Sequence, residues 1–265
     1  MKFEKTTYDD LGKINKLSPE GWGDITPQIE NYLKLDFCDP VKLTHNNEII
    51  GIGTAIYYKN TSWIAHLIVN EKYRRKGYGT EILEHLCNKC KMLGFRTILL
   101  FASDLGYPIY EKFGFKIQTE YIQYRKTNPD EYKPNLHIRK IETEDHEKIL
   151  QLDKSATGED RQNILACYIN DGYVYSKDGS IQGFYLQNPG EKAIIAGNEE
   201  AGLELLKYRI SENDYATIPI DNKCGNEFYI KHNFRVFRKI KRMIYGNEIN
   251  CKSEKIFNRI GGNFG

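Results

Sequence analysis

The stretch EKYRRKGYGTEIL, residues 71–83, decides how the rest of the chain is interpreted. Arg74, Arg75 and Lys76 stand directly before Gly77 and Gly79, where a helix-forming run begins. Like charges repel one another and glycine weakens a helix, so a partner outside the protein is expected to compensate for both. HLIV before this stretch is typical of a strand and TEILEHL at its end of a helix, so the segment between them is a tight strand-to-helix loop.

A phosphate group is the partner that this loop favours. The N–H groups of a first helical turn have no partner within the helix, and the helix dipole attracts anions. The glycines allow a phosphate to approach the backbone closely, and the three basic side chains supply further donors. The loop therefore predicts a phosphate or pyrophosphate ligand, with an exposed basic turn before an ordinary helix as the alternative that remains open.

Composition restricts the classes of protein. The chain has 265 residues, of which 40% are hydrophobic and 28% charged, which indicates a globular protein of one large or two ordinary domains. Its net charge of +2 is too small to predict a nucleic-acid partner. The N-terminal sequence resembles no secretion signal, and no apolar run approaches the ~20 residues needed to cross a bilayer. We therefore expect a cytoplasmic protein with no membrane partner.

The six cysteines are expected to be free thiols. Cys87 and Cys90 form a C-x-x-C pair, but the sequence offers no second ligand pair at a zinc-binding spacing. Both lie within a predicted amphipathic helix, which favours packing over redox chemistry. No metal site is predicted.

The chain nearly repeats itself. PIYEKFGF, residues 108–115, is echoed by EFYIKHNF, residues 227–234, and the openings of the two halves are also similar. The residues missing from the shorter second half fall in the interval that holds the basic loop. The division predicts a first domain at 1–128, a linker at 129–135 with prolines and polar residues, a second domain at 136–250 and a tail at 251–265.

Each half has an α/β pattern. In the first half, a helix at residues 9–17 precedes a hairpin that turns at Asn46-Asn47, the strand and helix around the basic loop, the strand RTILLFA, a short helix and a closing strand. The second half has a hairpin at Asp178-Gly179, then the strand KAIIA, the helix GLELLKYRI and the strand YATIPI.

The combination R-x-x-G-x-G between a strand and a helix, followed by YEKFGF, resembles the GNAT superfamily of acyl-CoA N-acyltransferases. The resemblance covers nearly all of residues 1–128, and the second half resembles the degenerate partner domain of tandem GNAT proteins. It implies an α/β fold of two tandem GNAT-like domains, each a mixed, mostly antiparallel sheet flanked by helices. It also implies acetyl-CoA as a co-substrate.

The resemblance assigns roles to residues. The pyrophosphate would bind the N–H groups of residues 75–80, and the pantetheine arm would run along residues 67–69 like an added strand. Tyr110 lies where the family often has the acid that protonates the departing thiolate, although a packed aromatic is the alternative. The full predicted cofactor set is Leu67, Ile68, Val69, Arg74, Arg75, Lys76, Gly77, Tyr78, Gly79, Thr80, Ser103 and Tyr110.

The sequence also departs from the family pattern. Ser103 stands where an asparagine commonly contacts the pantetheine, and serine has a shorter reach. The fourth-strand positions that often carry a general base hold Trp63 and Ala65, neither of which can accept a proton. Strand alternation predicts that His66 faces the opposite side, as a packing or surface residue. Asp104, Asp36 and an ordered water relay stay open as alternatives.

The second half is predicted to have lost the cofactor site. Glu199 and Glu200 occupy the equivalent helix start, where carboxylates suit the helix dipole and repel a pyrophosphate. Tyr229, the counterpart of Tyr110, is then structural. The half would form one wall of the acceptor cleft or hold a homodimer. The charged residues 159–161 either line that cleft or cap a helix.

The leading functional prediction is direct acetyl transfer from acetyl-CoA to a primary amine of a small molecule or peptide. The alternative is an acyl-CoA-binding regulatory module without turnover, which the missing fourth-strand base favours. A nucleotide-binding protein is a weaker reading, because the sequence lacks a Walker lysine pattern and an acidic ribose-binding residue.

Overall fold

The structure is a computed structural model that describes residues 1–126 and 135–265. Almost all of the predicted linker lies outside the described residues. An eight-stranded mixed sheet and a five-stranded antiparallel sheet, with helices packed against them, confirm the predicted α/β fold.

The first half has the predicted order of elements and one helix, α2, that the sequence analysis missed. The predicted helix at 9–17 is a short α-helix between two 3₁₀ turns. The elements are β1 (Lys2–Lys5), α1 (Leu11–Ile14), α2 (Thr26–Lys34), β2 (Cys38–His45), β3 (Glu48–Tyr57), β4 (Ser62–Val69), α3 (Tyr78–Met92), β5 (Thr97–Ala102), α4 (Tyr107–Phe113) and β6 (Lys116–Arg125).

The second half repeats this order and adds a short strand after it. Its elements are β7 (Ile138–Lys140), α5 (His146–Thr157), α6 (Gln162–Tyr168), β8 (Gly172–Lys177), β9 (Ser180–Leu186), β10 (Ile194–Ala196), α7 (Glu199–Ile210), β11 (Tyr215–Pro219), α8 (Lys223–Lys231), β12 (Arg235–Gly246) and β13 (Ile256–Asn258).

The two hairpins turn where the sequence predicted. Asn46 and Asn47 have φ of 49° and 62°, and Asp178 and Gly179 have φ of 53° and 71°. Two successive residues with positive φ are the requirement of the tight turn that matches the twist of antiparallel strands, and Asn, Asp and Gly tolerate that region best.

Glycines in β3 bring helix α3 unusually close to the sheet. A Cβ added to Gly51 would lie 2.7 Å from Cδ1 of Ile82, and one added to Gly53 would lie 2.7 Å from Cδ1 of Leu86. The helix face in this contact also buries Cys87 and Cys90 as free thiols. This packing fixes the position of the helix start that follows the basic loop.

The two halves share the larger sheet. Its strand order is β1-β2-β3-β4-β5-β12-β6-β11, so a strand of the second half lies between two strands of the first. β12 pairs antiparallel with β5 on one side and with β6 on the other. The predicted domain boundaries therefore divide the chain but not the sheet.

A buried carboxylate joins the halves at this point. Glu159 is fully buried and accepts hydrogen bonds from Trp63 Nε1 at 2.6 Å and Thr61 Oγ1 at 2.8 Å. On its other oxygen it accepts from Nη2 of Arg242, a β12 residue, at 2.8 Å. Both charges are removed from water, so each depends on the other for its stability.

A second buried pair lies beside the first. Arg161 donates to both carboxylate oxygens of Asp153, at 3.1 and 2.6 Å, and to the carbonyl oxygen of Gly265 at 2.9 Å. Glu159 and Arg161 thus hold the two halves and the last described segment together. Both side chains are used in these buried contacts. Arg161 stands at the N-cap position of α6, but its side chain makes no capping hydrogen bond there.

Replacing Arg242 with methionine is expected to lower the free energy of unfolding by about 3–5 kcal/mol, because it leaves Glu159 buried without its cation. Urea denaturation measures the loss. Lys154→Met is the control, since it breaks the exposed pair between Lys154 and Asp160, 3.0 Å apart. That change should cost less than about 1 kcal/mol. Equal losses in the two variants would show that burial does not strengthen the dependence of Glu159 on Arg242.

Candidate active site

A cavity of about 1140 Å³ opens between β4 and β5. The first half contributes the strand, the basic loop and the start of α4, and the second half contributes the opposite wall. The lining consists of Pro19, Glu20, Trp22, residues 64–69, Glu71, residues 73–75, 77–79, 101–103 and 105–106, Ile109, Tyr110, Arg238, Ile240, Arg259, Gly262 and Asn263.

A β-bulge in β4 creates this opening. Between Ala65 and Ile68 the strand has one residue more than the paired stretch of β3, and His66 adopts a φ of 47°. Over the described residues, β4 pairs with β5 only through Ser62 and Trp63, so the strands separate beyond that point. A bulge bends its strand, and the edge that faces β5 is left free for an extended ligand to pair with.

The basic loop delivers the start of α3 to one end of the cavity. Arg75 and Gly77 have φ of 61° and 89°, and α3 begins at Tyr78. The carbonyl of Gly77 accepts from the N–H groups of Thr80 at 2.9 Å and Glu81 at 3.1 Å. The N–H groups just before them have no partner within the helix and can bind an anion.

Most of the predicted cofactor residues meet at this cavity. All of them line it except Lys76 and Thr80, which are exposed beside it. The Lys76 ammonium lies 5.4 Å from the centre of the Tyr73 ring, and the Thr80 N–H is used inside the helix. Nε of Arg74 donates to the carbonyl oxygen of Val69 at 3.2 Å, which ties the loop to the end of β4.

Ser103 lines the cavity and also stabilises the turn before α4. Its Oγ accepts from the N–H of Gly106 at 3.2 Å, and this turn precedes α4. The serine hydroxyl keeps its own proton for donation to a ligand. Ser103 therefore serves the turn and leaves one donor facing the cavity.

Tyr110 lines the cavity from α4. Only 8% of it is exposed, and Gly106 makes room for it, since an added Cβ would lie 2.9 Å from Cε2 of the ring. Burial is the main cause that raises the pKa of the Tyr110 phenol to about 12. The hydroxyl consequently holds its proton throughout the neutral range and can donate it in a hydrogen bond.

His66 faces the side of the sheet opposite to the predicted one. The bulge resets strand alternation, so the imidazole lies with Ala65 and Trp63 and its Nδ1 is 2.7 Å from the Tyr32 hydroxyl. Burial lowers the pKa of His66 to about 4, so the ring is neutral above pH ~5. The prediction from alternation was wrong, because a bulge is a backbone feature that the residue types around it did not reveal.

The second half supplies residues that the sequence analysis did not select. Arg238 and Ile240 come from β12, and Arg259, Gly262 and Asn263 come from the segment after β13. Their position depends on the insertion of β12 between β5 and β6. One wall of the cavity thus comes from the predicted second domain, residues 136–250, together with the predicted tail, residues 251–265.

Two family models for the acetyltransferase (GNAT) domain match the chain, one at residues 41–117 and the other at residues 149–258. The chain belongs to the GNAT superfamily. It is an acyltransferase with two GNAT domains in tandem, and members of this family generally use acetyl-CoA.

Solved structures share this fold over nearly the whole chain. A candidate acetyltransferase from Pyrococcus horikoshii is similar with a TM-score of 0.83 at 22% identity, covering 100% of this chain and 95% of that one. A GCN5-related N-acetyltransferase from Sphaerobacter thermophilus gives a TM-score of 0.65 at 14% identity, over 95% and 98% of the two chains. At these identities the similarity concerns the fold alone. No curated protein matches the sequence significantly.

In the second GNAT domain, a strand of the chain itself lies along the edge that corresponds to the free edge of β4. β10 is the counterpart of β4, and β13 pairs antiparallel with it along the edge that β4 leaves free. The Phe257 ring of β13 packs on α7, where a Cβ on Gly202 would lie 2.1 Å from it. This groove is therefore filled by backbone and an aromatic ring.

The start of α7 is also satisfied without a ligand. The Asn198 side chain accepts from the N–H of Ala201 at 2.9 Å, and Glu200 pairs with Lys177 at 2.7 Å. Tyr229 is fully buried in the core, stacked on Tyr124 at 5.4 Å. These contacts support the prediction that the second domain keeps the fold and lacks the cofactor site.

Within residues 1–126 and 135–265, no helix has both the length and the apolar character that a bilayer crossing requires. The same part of the chain holds no group of three or more His, Cys, Asp or Glu side chains arranged to bind a metal ion.

Proposed function

We propose that the protein transfers acetyl from acetyl-CoA directly to a primary amine. The observation that carries this proposal is the single cavity in which the start of α3, the free edge of β4 and Tyr110 meet. The cofactor residues belong to the first GNAT domain only, so we expect one CoA site per chain.

The shape of the cavity suits the parts of acetyl-CoA in order. The N–H groups at the start of α3 and the guanidinium groups of Arg74 and Arg75 would bind the pyrophosphate. The pantetheine amides would pair with residues 67–69 along the free edge of β4. The thioester then lies beside the bulge, between Tyr110 and His66.

The pKa of Tyr110 decides how it acts on the leaving group. A thiol has a pKa of about 8.5, more than three units below that of a phenol at about 12. Complete transfer of the phenolic proton to the thiolate is therefore unfavourable, and a hydrogen bond to the sulfur as charge develops is the effective interaction. Tyr110 would thus stabilise the departing thiolate as a donor that stays protonated.

The low pKa of His66 excludes it as a base for an ammonium ion, whose pKa is near 10. A neutral imidazole can instead accept a hydrogen bond from an amine that arrives deprotonated and so direct its lone pair at the carbonyl. Nitrogen bonds to the acetyl carbon, the carbon–sulfur bond breaks, and the proton lost by nitrogen balances the one gained by the thiolate. No external base is consumed, and the direct transfer depends on positioning.

Thiol release from acetyl-CoA across a panel of primary amines tests this function. Amine-dependent release with formation of the N-acetyl product supports it. CoA binding without release for any amine would instead support the regulatory module. If the protein neither binds CoA nor releases thiol with any amine, acetyl-CoA is not its substrate.

The pH dependence of kcat/KM should follow the acceptor and not the enzyme. His66 is neutral above pH ~5, and Tyr110, with a pKa of about 12, is neutral below pH ~11, so neither changes charge between pH 6 and 10. The value of kcat/KM should rise with pH and level off, with its midpoint at the pKa of the amine. The midpoint should shift to lower pH when a less basic amine is used. His66→Gln should lower the rate and keep the midpoint. A midpoint that stays constant across amines would show that an enzyme base controls the reaction.

A further inference from the structure

The second-half wall of the cavity contains a guanidinium with an unused nitrogen. Arg259 is only 5% exposed, and its Nε donates to Glu191 at 2.9 Å while Nη2 donates to the other carboxylate oxygen. Its Nη1 is buried without a hydrogen-bond acceptor among the described residues. The Phe101 ring, 4.4 Å from Cζ, covers one face of the group. A buried charged donor without an acceptor is costly and points to an acceptor that comes from outside.

Arg238 adds a second cation to the same wall. Its Nε donates to Oε1 of Gln123, and no carboxylate of the described residues forms an ion pair with it. Loss of water and then the positive charge of Arg259 lower the pKa of Arg238. The two guanidinium groups therefore repel each other, and an anion between them would relieve that repulsion.

The charges on this wall do not cancel. Glu191 forms an ion pair with Arg259, whereas Arg238 has no carboxylate partner among the described residues, so Arg238 adds an unpaired positive charge to the wall. The acidic residues of the lining, Glu20 and Glu71, both come from the first half. One excess charge matches a carboxylate better than a phosphate with two negative charges, and guanidinium forks bind carboxylates with well-defined geometry.

We propose that the acceptor amine carries a carboxylate that binds to Arg259 and Arg238. Because this wall lies in the same cavity as His66 and Tyr110, the carboxylate would anchor one end of the acceptor while the amine meets the thioester. The acceptor class is then an amino acid or a similar amino carboxylate. The inference rests on the proposed acetyl transfer to an amine.

The test compares acceptors that differ only in the carboxylate. Lysine against cadaverine and tyrosine against tyramine are two such pairs, and the amino-acid amides keep the size without the charge. Rates are corrected for the deprotonated fraction of each amine. We expect kcat/KM to be roughly 10–100-fold higher with the carboxylate, the range of a charge-assisted hydrogen bond.

Two variants connect this preference to the wall. Arg259→Lys keeps a cation for Glu191 and removes the fork, and Arg238→Gln removes the second cation. Each should lower kcat/KM for the amino carboxylate more than for its neutral partner, so that the ratio of the two falls toward unity. Arg235→Gln is the control, because Arg235 is an exposed residue of the same strand outside the cavity. It should leave the preference unchanged.

The outcomes separate the two proposals. If neutral amines react as well as amino carboxylates and both variants behave like the control, the anion site is wrong and acetyl transfer stands. If no amine of the panel is acetylated but the CoA-loaded protein binds lysine and not cadaverine by calorimetry, the anion site stands and acetyl transfer is wrong. If neither turnover nor carboxylate-dependent binding occurs, both are overturned.

Discussion

Replacing Gly77 with glutamate is expected to abolish CoA binding. Gly77 precedes the first turn of α3, and the space around its Cα is open, so a side chain there would project freely at the start of the helix. At an effective dielectric constant of about 20, two unit charges ~4 Å apart repel by about 4 kcal/mol. A carboxylate at this position should therefore weaken pyrophosphate binding by about a thousandfold, which calorimetry with CoA measures.

Gly94 offers a matched control at the other end of the same helix. It has a φ of 91°, against 89° for Gly77, and a Cβ there would also meet nothing within 4 Å. Gly94→Glu therefore imposes the same backbone strain and the same added charge, about 15 residues away from the cavity. It should bind CoA as the natural protein does. If both variants bind CoA equally well, the phosphate is not bound at the start of α3.

The elements around the basic loop could be predicted because each depends on local sequence. Positive φ at Asn46 and Asp178 follows from residue type, and the strand–loop–helix order around Gly77 follows from hydrophobic pattern and glycine spacing. The sequence also predicts that the second domain has lost the cofactor site, since Glu200 stands at the equivalent helix start. The pairing of β13 along β10 supports this prediction.

The acceptor end of the cavity could not be predicted, because it depends on contacts between distant parts of the chain. Nothing in β12 itself indicates that it pairs with β5 and β6, and the place of Arg238 in the cavity follows from that pairing. That Nη1 of Arg259 has no acceptor can be recognised only from the structure, in which Glu191 accepts hydrogen bonds from Nε and Nη2. The bulge at His66 could not be predicted either, because a prediction from strand alternation assumes that no residue is inserted.

Replacing Tyr110 with phenylalanine is expected to lower kcat by about 10²-fold, the lower range for removing one donor that stabilises transition-state charge. The change keeps the ring that packs against Gly106 and Phe115, so the fold and the affinity for CoA should be preserved. Because the phenol stays protonated up to pH ~11, the loss should be the same at every pH from 6 to 10. Steady-state kinetics over this range measures it.

Tyr107→Phe provides the control on the same helix. Tyr107 starts α4, bonds to Glu111 and lies outside the cavity lining, so removal of its hydroxyl tests the stability of α4 without touching the thioester. Its turnover should match that of the natural protein. If both variants keep full turnover, Tyr110 is a packing residue and the thiolate leaves without its help. If both lose activity equally, the effect comes from α4 and the donor role of Tyr110 is wrong. A loss confined to Tyr110→Phe, with unchanged CoA affinity, identifies an interaction made only as the carbon–sulfur bond breaks.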